Sequence, residues 1–135
     1  MTAITDAVFE KIKAQLKFNA TTGLIPAIIQ DAKTQKVLTL CYLNDIALRA
    51  TLETGFVHLF RRSQNKLMKK GETSGHTQAV REIRPDCDGN SLLILIDQHV
   101  AGCHAGYFSC YFEKFENDGA KKITDRIVFD PKKVY

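Results

Sequence analysis

The sequence has no tryptophan, only three prolines and no long hydrophobic run. Its longest uninterrupted apolar stretches are five-residue runs such as residues 92–96, far short of the roughly 20 apolar residues that a membrane-spanning helix needs. The first residues read MTAITDAVFEKIKA, with acids and lysines where a secretory signal peptide needs an apolar core. We therefore expect a cytoplasmic protein that has no membrane partner.

The sequence also lacks internal repeats, low-complexity tracts and Pro/Gly-rich linkers. Its 135 residues correspond to one ordinary domain. The apolar fraction of 44% and the charged fraction of 25% are typical of a globular protein and exclude disorder as the main state. We expect a single domain over residues 1–135, with an N-terminal helical segment at 1–17 and a polar C-terminal tail at 118–135.

The hydrophobic pattern predicts two helices. Residues 5–17 carry apolar side chains at helical spacing after a capping Thr5, and Asn44 caps a second helix that ends near Thr54, before Gly55. The polar, glycine-bearing stretch 63–76 is predicted to be loop. Strands are predicted at residues 24–31, 37–43, 56–60, 78–84, 92–96 (fully buried), 107–115 and 126–129. Their hairpin-like spacing predicts a small α+β domain with a mostly antiparallel sheet.

The four cysteines include no C-x-x-C pair, which excludes a zinc ribbon and a thioredoxin-type redox centre. Cys41 lies in the apolar run VLTLCYL, where a small buried side chain is expected. Cys87, Cys103 and Cys110 are separated by 15 and then 6 residues. Three thiolates could hold one Zn²⁺ and leave a fourth position open, as in catalytic zinc sites. Three unrelated reduced thiols are the alternative.

Oxygen-bearing side chains surround the first of these three cysteines, because Asp86, Asp88 and Asn90 occupy every second position. In an extended segment they would share one face, and Cys87 would point to the other. Their oxygens suit Mg²⁺, whereas a thiolate suits zinc. The alternative is an Asp/Gly/Asn turn between two strands.

Two histidines are candidates for proton transfer near neutral pH. His104 directly follows Cys103. His76 ends the run GETSGH, in which two hydroxyls and a backbone freed by glycine could bind phosphate beside Lys70. A hydrogen-bonded surface histidine and a polar turn are the respective alternatives.

Positive charge is concentrated in one short stretch, although the net charge is only +4. Arg61, Arg62, Lys66, Lys69 and Lys70 place five cations and no acid within ten residues. A solvated basic strand and turn is one interpretation, and a site for an anionic ligand is the other. Because the stretch lacks the interleaved aromatic residues of single-strand binders, we expect no nucleic-acid partner.

Together these motifs resemble the phosphoribosyl-AMP cyclohydrolases, enzymes of histidine biosynthesis. The similarity begins at LKF (16–18) and GLIPAIIQDA (23–32) and continues through GETSGH (71–76), IRPDCDG (83–89) and C-H-x-G-x-x-S-C (103–110). It covers about seventy per cent of the chain. The combination of GETSGH, DCDG and C-H-x-G-x-x-S-C is highly specific to this family.

The resemblance implies a zinc-dependent hydrolase that opens the adenine ring of 1-(5-phosphoribosyl)-AMP at the N1–C6 bond and yields a formimino-carboxamide ribonucleotide. It also implies an intertwined homodimer in which Cys87, Cys103 and Cys110, drawn from both subunits, bind about one Zn²⁺ per subunit. The family's Mg²⁺ site corresponds here to Asp86, Asp88 and Asn90.

The implied reaction agrees with the chemistry of the predicted residues. Ribosylation at N1 makes the purine electron-poor, so that a zinc-activated water could attack C6. The departing N1 needs a proton, for which His104 is the first candidate and His76 the second. The substrate carries two phosphate monoesters, which the cations of the basic stretch could bind. The predicted substrate-binding residues are Arg62, Lys70, Glu72, Thr73 and Ser74.

The sequence departs from the family pattern around the substrate. Asn90 stands where the family usually has a third aspartate, so Mg²⁺ should bind more weakly. Phe60 and Met68 replace the tryptophans of H-Y-W-S-R-S-R and L-W-x-K-G, and Gln64 replaces the second arginine. The alternative is therefore a divergent paralogue, with the same zinc site, that acts on another purine-like nucleotide.

Overall fold

The structure, a computed structural model, describes residues 4–135. Its α-helices are α1 (Asp6–Lys13) and α2 (Asp45–Thr54). Its strands are β1 (Ile25–Asp31), β2 (Val37–Leu43), β3 (His58–Arg61), β4 (Lys66–Lys69), β5 (Gln78–Pro85), β6 (Leu92–Gln98), β7 (Glu113–Phe115) and β8 (Lys121–Ile123). Short 3-10 helices cover Arg62–Gln64 and Pro131–Lys133. In the described part of the chain, no helix is long and apolar enough to cross a membrane.

The central element is a four-stranded sheet in the order β2-β1-β6-β5. β1 pairs antiparallel with β2, and β5 pairs antiparallel with β6, whereas β1 and β6 run parallel. β3–β4 and β7–β8 form separate antiparallel hairpins. Two helices and mainly antiparallel pairing confirm the predicted α+β fold.

One face of the sheet forms the core, because buried apolar side chains alternate along its strands. Ile25, Ala27 and Ile29 of β1 are fully buried, and Ile94 and Ile96 of the neighbouring β6 are buried with them. α2 contributes the buried side chains Ala47, Leu48 and Leu52 to the same cluster.

The opposite face of the sheet is apolar but much more exposed. Ile28, Leu40 and Tyr42 are 41%, 45% and 46% exposed, and Leu93 and Leu95 on β6 are half-buried. The prediction of a fully buried strand at residues 92–96 is therefore wrong for alternate residues. Only one face of β6 lies in the core of this chain.

Both helices begin at predicted capping residues. Oγ1 of Thr5 accepts a hydrogen bond from the backbone N–H of Val8 at 3.2 Å, and Oδ1 of Asn44 accepts one from Ala47 at 2.8 Å. α2 is followed by Gly55 at φ +78°, a left-handed conformation that glycine adopts without steric cost.

α1 ends at Lys13, four residues before the predicted limit at Lys17. The chain then turns so that the backbone N–H of Lys17 donates to the carbonyl of Gly89 at 2.8 Å. This contact with the loop between β5 and β6 replaces a helical hydrogen bond. The first three residues of the predicted 1–17 segment lie outside the described range.

The predicted strand at residues 107–115 is extended only in β7. Its first half follows an irregular path, because the Cys110 N–H donates to the Leu38 carbonyl at 2.8 Å and the Tyr107 ring stacks on Phe112 at 3.8 Å between centroids. The hydrogen bond from Cys110 attaches the segment to the edge strand β2. A local alternation of side chains does not reveal such tertiary anchoring.

Two further boundaries differ from the prediction. Residues 126–129 are not a strand, because Val128 donates a single backbone hydrogen bond to the carbonyl of Gly106 at 2.7 Å, and the strand of this region is β8. The stretch 63–76, predicted as loop, contains β4, which pairs with β3.

Candidate functional site

A cavity of about 500 Å³ lies where the β3–β4 hairpin, the loop after β4 and the C-terminal segment meet. Its walls combine basic, hydroxyl, imidazole and apolar side chains, a composition suited to a small anionic ligand with an apolar part. It brings together six residues that the sequence predicted to be functional: Lys70, Glu72, Thr73, Ser74, His76 and His104.

The loop after β4 is held in shape by its own backbone. The N–H of Gly75 donates to the carbonyl of Gly71 at 2.8 Å, and the N–H of His76 donates to Oγ of Ser74 at 3.1 Å. Gly71 has φ +84°, and a Cβ atom there would lie 2.5 Å from the carbonyl carbon of His76. Glycine is therefore required at residue 71 both for its φ angle and for lack of space.

His76 lies at the inner wall of the cavity and is only 8% exposed. Its ring packs edge-on against Phe129, with 4.7 Å between centroids, and its Nδ1 has no hydrogen-bond partner among the described residues. Burial, and then the charges of His99 and Lys70, lower the pKa of His76. Its ring is consequently neutral at pH 7.

His104 occupies the outer wall and is exposed. It belongs to a tight turn in which the N–H of Gly106 approaches the carbonyl of Cys103 at 3.3 Å. The Tyr135 ring stands almost perpendicular to the imidazole, with 6.4 Å between centroids. The two candidate histidines therefore differ in environment, one enclosed and one in solvent.

Cys103 and Cys110 are brought together by this same turn. Burial raises the pKa of the Cys110 thiol, a contact with Thr39 lowers it, and the nearby Cys103 thiol raises it further. Cys103 is buried, and its Sγ accepts a hydrogen bond from the N–H of Ala105 at 3.4 Å. Two thiols thus lie side by side, and Cys103 directly precedes His104.

Cys87 lies far from this pair of thiols. It follows β5 at the end of the sheet formed by Ile25, Leu43 and Pro85, which we call the turn end. Cys110 contacts the start of β2, which belongs to the opposite end. The seven-residue strand β6 separates the two ends, a length of about 20 Å.

The cavity end is the end of the sheet at Asp31, Val37 and Gln98, next to the two thiols. Within a single chain, no three His, Cys, Asp or Glu side chains of residues 4–135 come close enough to hold a metal ion. One copy of this chain therefore carries two of the three predicted zinc ligands in one place and the third at the other end of the sheet.

The segment of Asp86, Asp88 and Asn90 is a turn, and the expectation of an extended segment with a shared oxygen face is wrong. Oδ1 of Asp86 accepts hydrogen bonds from the backbone N–H groups of Asp88 and Asn90 at 3.0 and 2.8 Å, and Oδ2 accepts one from Oγ of Ser91 at 2.7 Å. These bonds, that of Ser91 first, lower the pKa of Asp86. Gly89, at φ +72°, closes the turn.

The predicted substrate residue Arg62 starts a short 3-10 helix and is not part of the cavity wall, whereas its neighbour Arg61 is. Lys69 also lines the cavity and places its ammonium 4.7 Å from the centre of the Phe56 ring. The basic stretch therefore contributes Arg61, Lys69 and Lys70 to the site.

The remaining thiol, Cys41, keeps part of its surface exposed, but its Sγ is enclosed enough that burial raises its pKa to about 12. The expectation of a small buried side chain is therefore met only in part. Sequence patterns missed Pro131 and Tyr135, which reach the cavity from the C-terminal tail. No periodicity or motif marks them, because only the folded chain brings the tail to His76 and His104.

Known proteins resemble this chain over most of its length. A family model described as phosphoribosyl-AMP cyclohydrolase matches residues 39–112. A phosphoribosyl-AMP cyclohydrolase from Desulforapulum autotrophicum is 50% identical over 122 residues, which cover 90% of this chain and 98% of the relative. One from Archaeoglobus fulgidus is 53% identical over 96 residues, or 71% of this chain and 89% of the relative.

A longer relative matches as well. The histidine biosynthesis bifunctional protein HisIE of Thermoanaerobacter pseudethanolicus is 48% identical over 126 residues, which cover 93% of this chain and 57% of the relative. The matched family model includes the whole loop after β4, both candidate histidines and the three widely spaced thiols. These matches confirm the resemblance found in the motifs: the chain belongs to the phosphoribosyl-AMP cyclohydrolase family and is a hydrolase.

Proposed function

We propose that this chain hydrolyses the N1–C6 bond of the adenine ring in 1-(5-phosphoribosyl)-AMP, a step of histidine biosynthesis, as a cytoplasmic homodimer that binds zinc. The observation that carries this proposal is the separation of the thiols. The buried Cys103 and the half-buried Cys110 form a pair beside the cavity, while Cys87 is exposed about 20 Å away at the turn end. A second copy of the chain can supply the missing thiol.

The donor set fits zinc. Three thiolates are soft ligands of the kind that zinc prefers, and a three-ligand site leaves one position open. Cys103 and Cys110, together with a third thiol from a partner, would hold a zinc ion, whose Lewis acidity would activate water for hydrolysis at neutral pH. The raised pKa of the metal-free Cys110 thiol means that metal binding must release its proton.

The exposed sheet face supports a dimer. Ile28, Leu40 and Tyr42 present contiguous apolar surface on paired residues of β1 and β2, since Ile28 lies opposite Leu40 in the register. Apolar surface of this kind is stabilised when a partner covers it. Every contact in a symmetric dimer occurs twice. Each copy would therefore contribute its Cys87 thiol to the partner's site and use the partner's Cys87 thiol in its own.

The cavity suits a nucleotide that carries phosphate groups. Lys70, Thr73 and Ser74 offer an ammonium and two hydroxyls along one wall, and Arg61 and Lys69 add positive charge near them. Charge-assisted hydrogen bonds from such groups hold phosphate oxygens. Glu72 in the same wall is an acceptor that suits a ribose hydroxyl.

The two histidines suit two different tasks. His104, exposed beside the thiol pair, donates a proton to N1 as the N1–C6 bond breaks. His76, buried and neutral, lies in the inner wall of the cavity and helps to orient the substrate ring. The oxygen of the water becomes the carboxamide oxygen at C6, and its protons pass to the departing nitrogen and the solvent.

Mg²⁺ is assigned to the turn that contains Asp86, Asp88 and Asn90. Oδ1 of Asp86 already accepts two hydrogen bonds within the turn and Oδ2 accepts one, so Oδ2 keeps a lone pair free for a hard cation. Asn90 contributes no charge, so Mg²⁺ binds weakly here.

Ring opening of synthetic phosphoribosyl-AMP, followed by absorbance together with elemental analysis, tests the reaction and the metal. We expect about one zinc per chain and turnover that a strong chelator abolishes and added Zn²⁺ restores. Zinc without turnover would favour the paralogue that acts on another purine-like nucleotide, a reading supported by the aliphatic Leu59 and Met68 in the cavity wall. Protein without zinc would overturn the thiol assignment.

Mixing two inactive variants tests whether the site is shared between subunits. Cys87→Ala and Cys103→Ala should each be inactive alone, and Cys41→Ala, which removes a thiol from β2, should stay active. After subunit exchange, half of the dimers pair the two variants and keep one intact site of two, so about a quarter of wild-type activity should return. No recovery from a mixture that size-exclusion chromatography shows to be dimeric would contradict a shared site.

A further inference from the structure

The cavity has an aromatic wall that comes from the end of the chain. We propose that the Tyr135 ring stacks on the purine of the bound nucleotide and so determines the preference of the site for a purine. This inference rests on the proposed function, since it assigns the nucleotide to the cavity beside His76 and His104. It adds a binding residue that neither the loop after β4 nor the cysteine motifs contain.

The segment that carries Tyr135 is firmly attached to the site. The N–H of Val128 donates to the carbonyl of Gly106 at 2.7 Å. Gly106 has φ +101°, and a Cβ atom there would lie 2.8 Å from the carbonyl oxygen of Phe129 and 3.2 Å from Pro131. The segment therefore packs directly on the turn that holds Cys103 and His104.

A short 3-10 helix then directs the chain back over the cavity. Pro131 begins this helix, where its fixed φ angle is favourable, and Oδ1 of Asp130 caps it by accepting from the N–H of Lys132 at 3.0 Å. The N–H of Tyr135 donates to the Pro131 carbonyl at 3.0 Å. Residue 135 is thus positioned by hydrogen bonds on both sides of the bend.

The Tyr135 ring has free surface in the right place. Its side chain is 57% exposed and lines the cavity, with His104 at 6.4 Å on one side and Phe129 at 6.3 Å on another, between centroids. Of the described cavity-lining residues it is the one tyrosine, and tryptophan and phenylalanine are absent from that set. Leu59 and Met68 give the facing hairpin an aliphatic surface.

A ribosylated purine matches this wall. Substitution at N1 makes the ring electron-poor, and an electron-rich phenol ring stacks well on such a π-system. Stacking on an aromatic side chain recognises a base through its flat face, whereas the basic groups of the β3–β4 hairpin and the loop after it recognise phosphate. The two walls therefore bind two different parts of one nucleotide.

Equilibrium binding to two probes separates these contributions. Adenosine 5′-monophosphate has a purine and a phosphate, and ribose 5-phosphate has only the sugar phosphate. Tyr135→Ala should weaken binding of adenosine 5′-monophosphate about ten-fold and leave ribose 5-phosphate unchanged, while Tyr135→Phe should bind both within about two-fold of wild type. Tyr111→Ala, which truncates another exposed tyrosine outside the cavity wall, should change neither.

The kinetic signature follows from the same geometry. With phosphoribosyl-AMP, Tyr135→Ala should raise KM about ten-fold and change kcat less than three-fold. The reason is that stacking stabilises the bound substrate and the transition state equally. Equal loss of both probes in Tyr135→Ala, or no loss of either, would overturn the stacking role. Wild-type protein that binds neither probe would instead remove the nucleotide from the cavity, which is the failure of the proposed function itself.

Discussion

The cavity end and the turn end of the sheet are built in different ways. At the cavity end, His76, Cys103 and Ser109 are buried, and a loop, a turn and the C-terminal segment enclose space. At the turn end, the segment from Asp86 to Asn90 is mostly exposed, and its polar groups bond to one another. The cavity end encloses a binding-site-sized space, whereas the turn end places polar side chains at the surface.

In the proposed zinc site, this difference places candidate metal ligands at both ends of one rigid sheet. A sheet of seven- and eight-residue strands cannot bend to bring its ends together. The candidate ligands at its two ends would therefore meet only between copies of the chain, as in the proposed dimer.

Each end nevertheless contains a glycine with positive φ that packs closely against the backbone of another segment. Gly71 packs on the His76–Thr77 peptide at the cavity end, and Gly89 packs on the Gln15 carbonyl at the turn end. In each case a loop that carries functional groups is fixed to a neighbouring segment. Substitution at one end should leave the other end intact.

Gly71→Ala should produce the largest effect at the cavity end. Its Cβ would collide with the His76 carbonyl, so the loop must move and kcat/KM should fall about 100-fold. Gly75→Ala is the matched control, because Gly75 has φ +79° but no atom within 4 Å of the added Cβ. That variant should lose about 1 kcal/mol of stability and little activity. Equal activities of the two variants would contradict the close-packing argument.

Asp31→Asn should destabilise the cavity end at neutral pH. Oδ2 of Asp31 accepts from the N–H and the hydroxyl of Thr34 at 2.8 and 2.7 Å, and Oδ1 accepts from the N–H of Gln98 at 3.2 Å. An amide would turn a donor towards these donors, so the free energy of unfolding should fall by about 1–3 kcal/mol. Denaturant titration at pH 7 measures this loss.

The pH dependence of the same variant gives a second check. Burial alone would raise the pKa of Asp31, but the hydrogen bonds of Thr34 and Gln98 and the charge of Lys33 outweigh it and leave the pKa lowered. The carboxylate therefore stabilises the fold above the unfolded-state pKa of about 3.9, and this stability is lost as pH falls through the lower folded-state value. Wild type and variant should converge in acid. Asp97→Asn, which breaks an exposed pair with Arg81, should cost under about 1 kcal/mol.

Asn90→Asp should have the smallest effect, confined to the turn end. It adds one negative charge beside Asp86 and Asp88 and should lower the half-saturating Mg²⁺ concentration about five-fold. Asn117→Asp adds the same charge at an exposed position between β7 and β8 and serves as the control. An unchanged Mg²⁺ dependence in Asn90→Asp would place the Mg²⁺ site elsewhere.

Local signals were enough to predict much of this molecule. Capping residues marked where both helices begin, because a side-chain oxygen directly before the first helical residue accepts a hydrogen bond from a free backbone N–H of the first turn. The apolar runs of β1, β2 and β6 and the alternation of β5 marked the sheet. The GETSGH segment was recognised as a candidate binding loop because its glycines and hydroxyls carry that chemistry wherever they occur.

Predictions failed where distant contacts override local pattern. The alternation of residues 107–115 predicts a strand, but the hydrogen bond from Cys110 to Leu38 bends that segment onto β2. The every-second-residue spacing of Asp86, Asp88 and Asn90 predicts a shared face, but Asp86 draws their backbone N–H groups into a turn. A carboxylate that can bond its own neighbours competes with extended structure.

The sequence by itself determined the family, the fold class and the candidate reactive groups, because these depend on residue types and their local spacing. Only the tertiary structure decided where those groups lie. The fold places the free thiols of Cys103 and Cys110 next to each other and Cys87 at the far end of the sheet. It also brings Tyr135 from the polar C-terminal tail to the candidate site. The physical reason is that strand pairing and burial act between residues far apart in the chain, which no local pattern encodes.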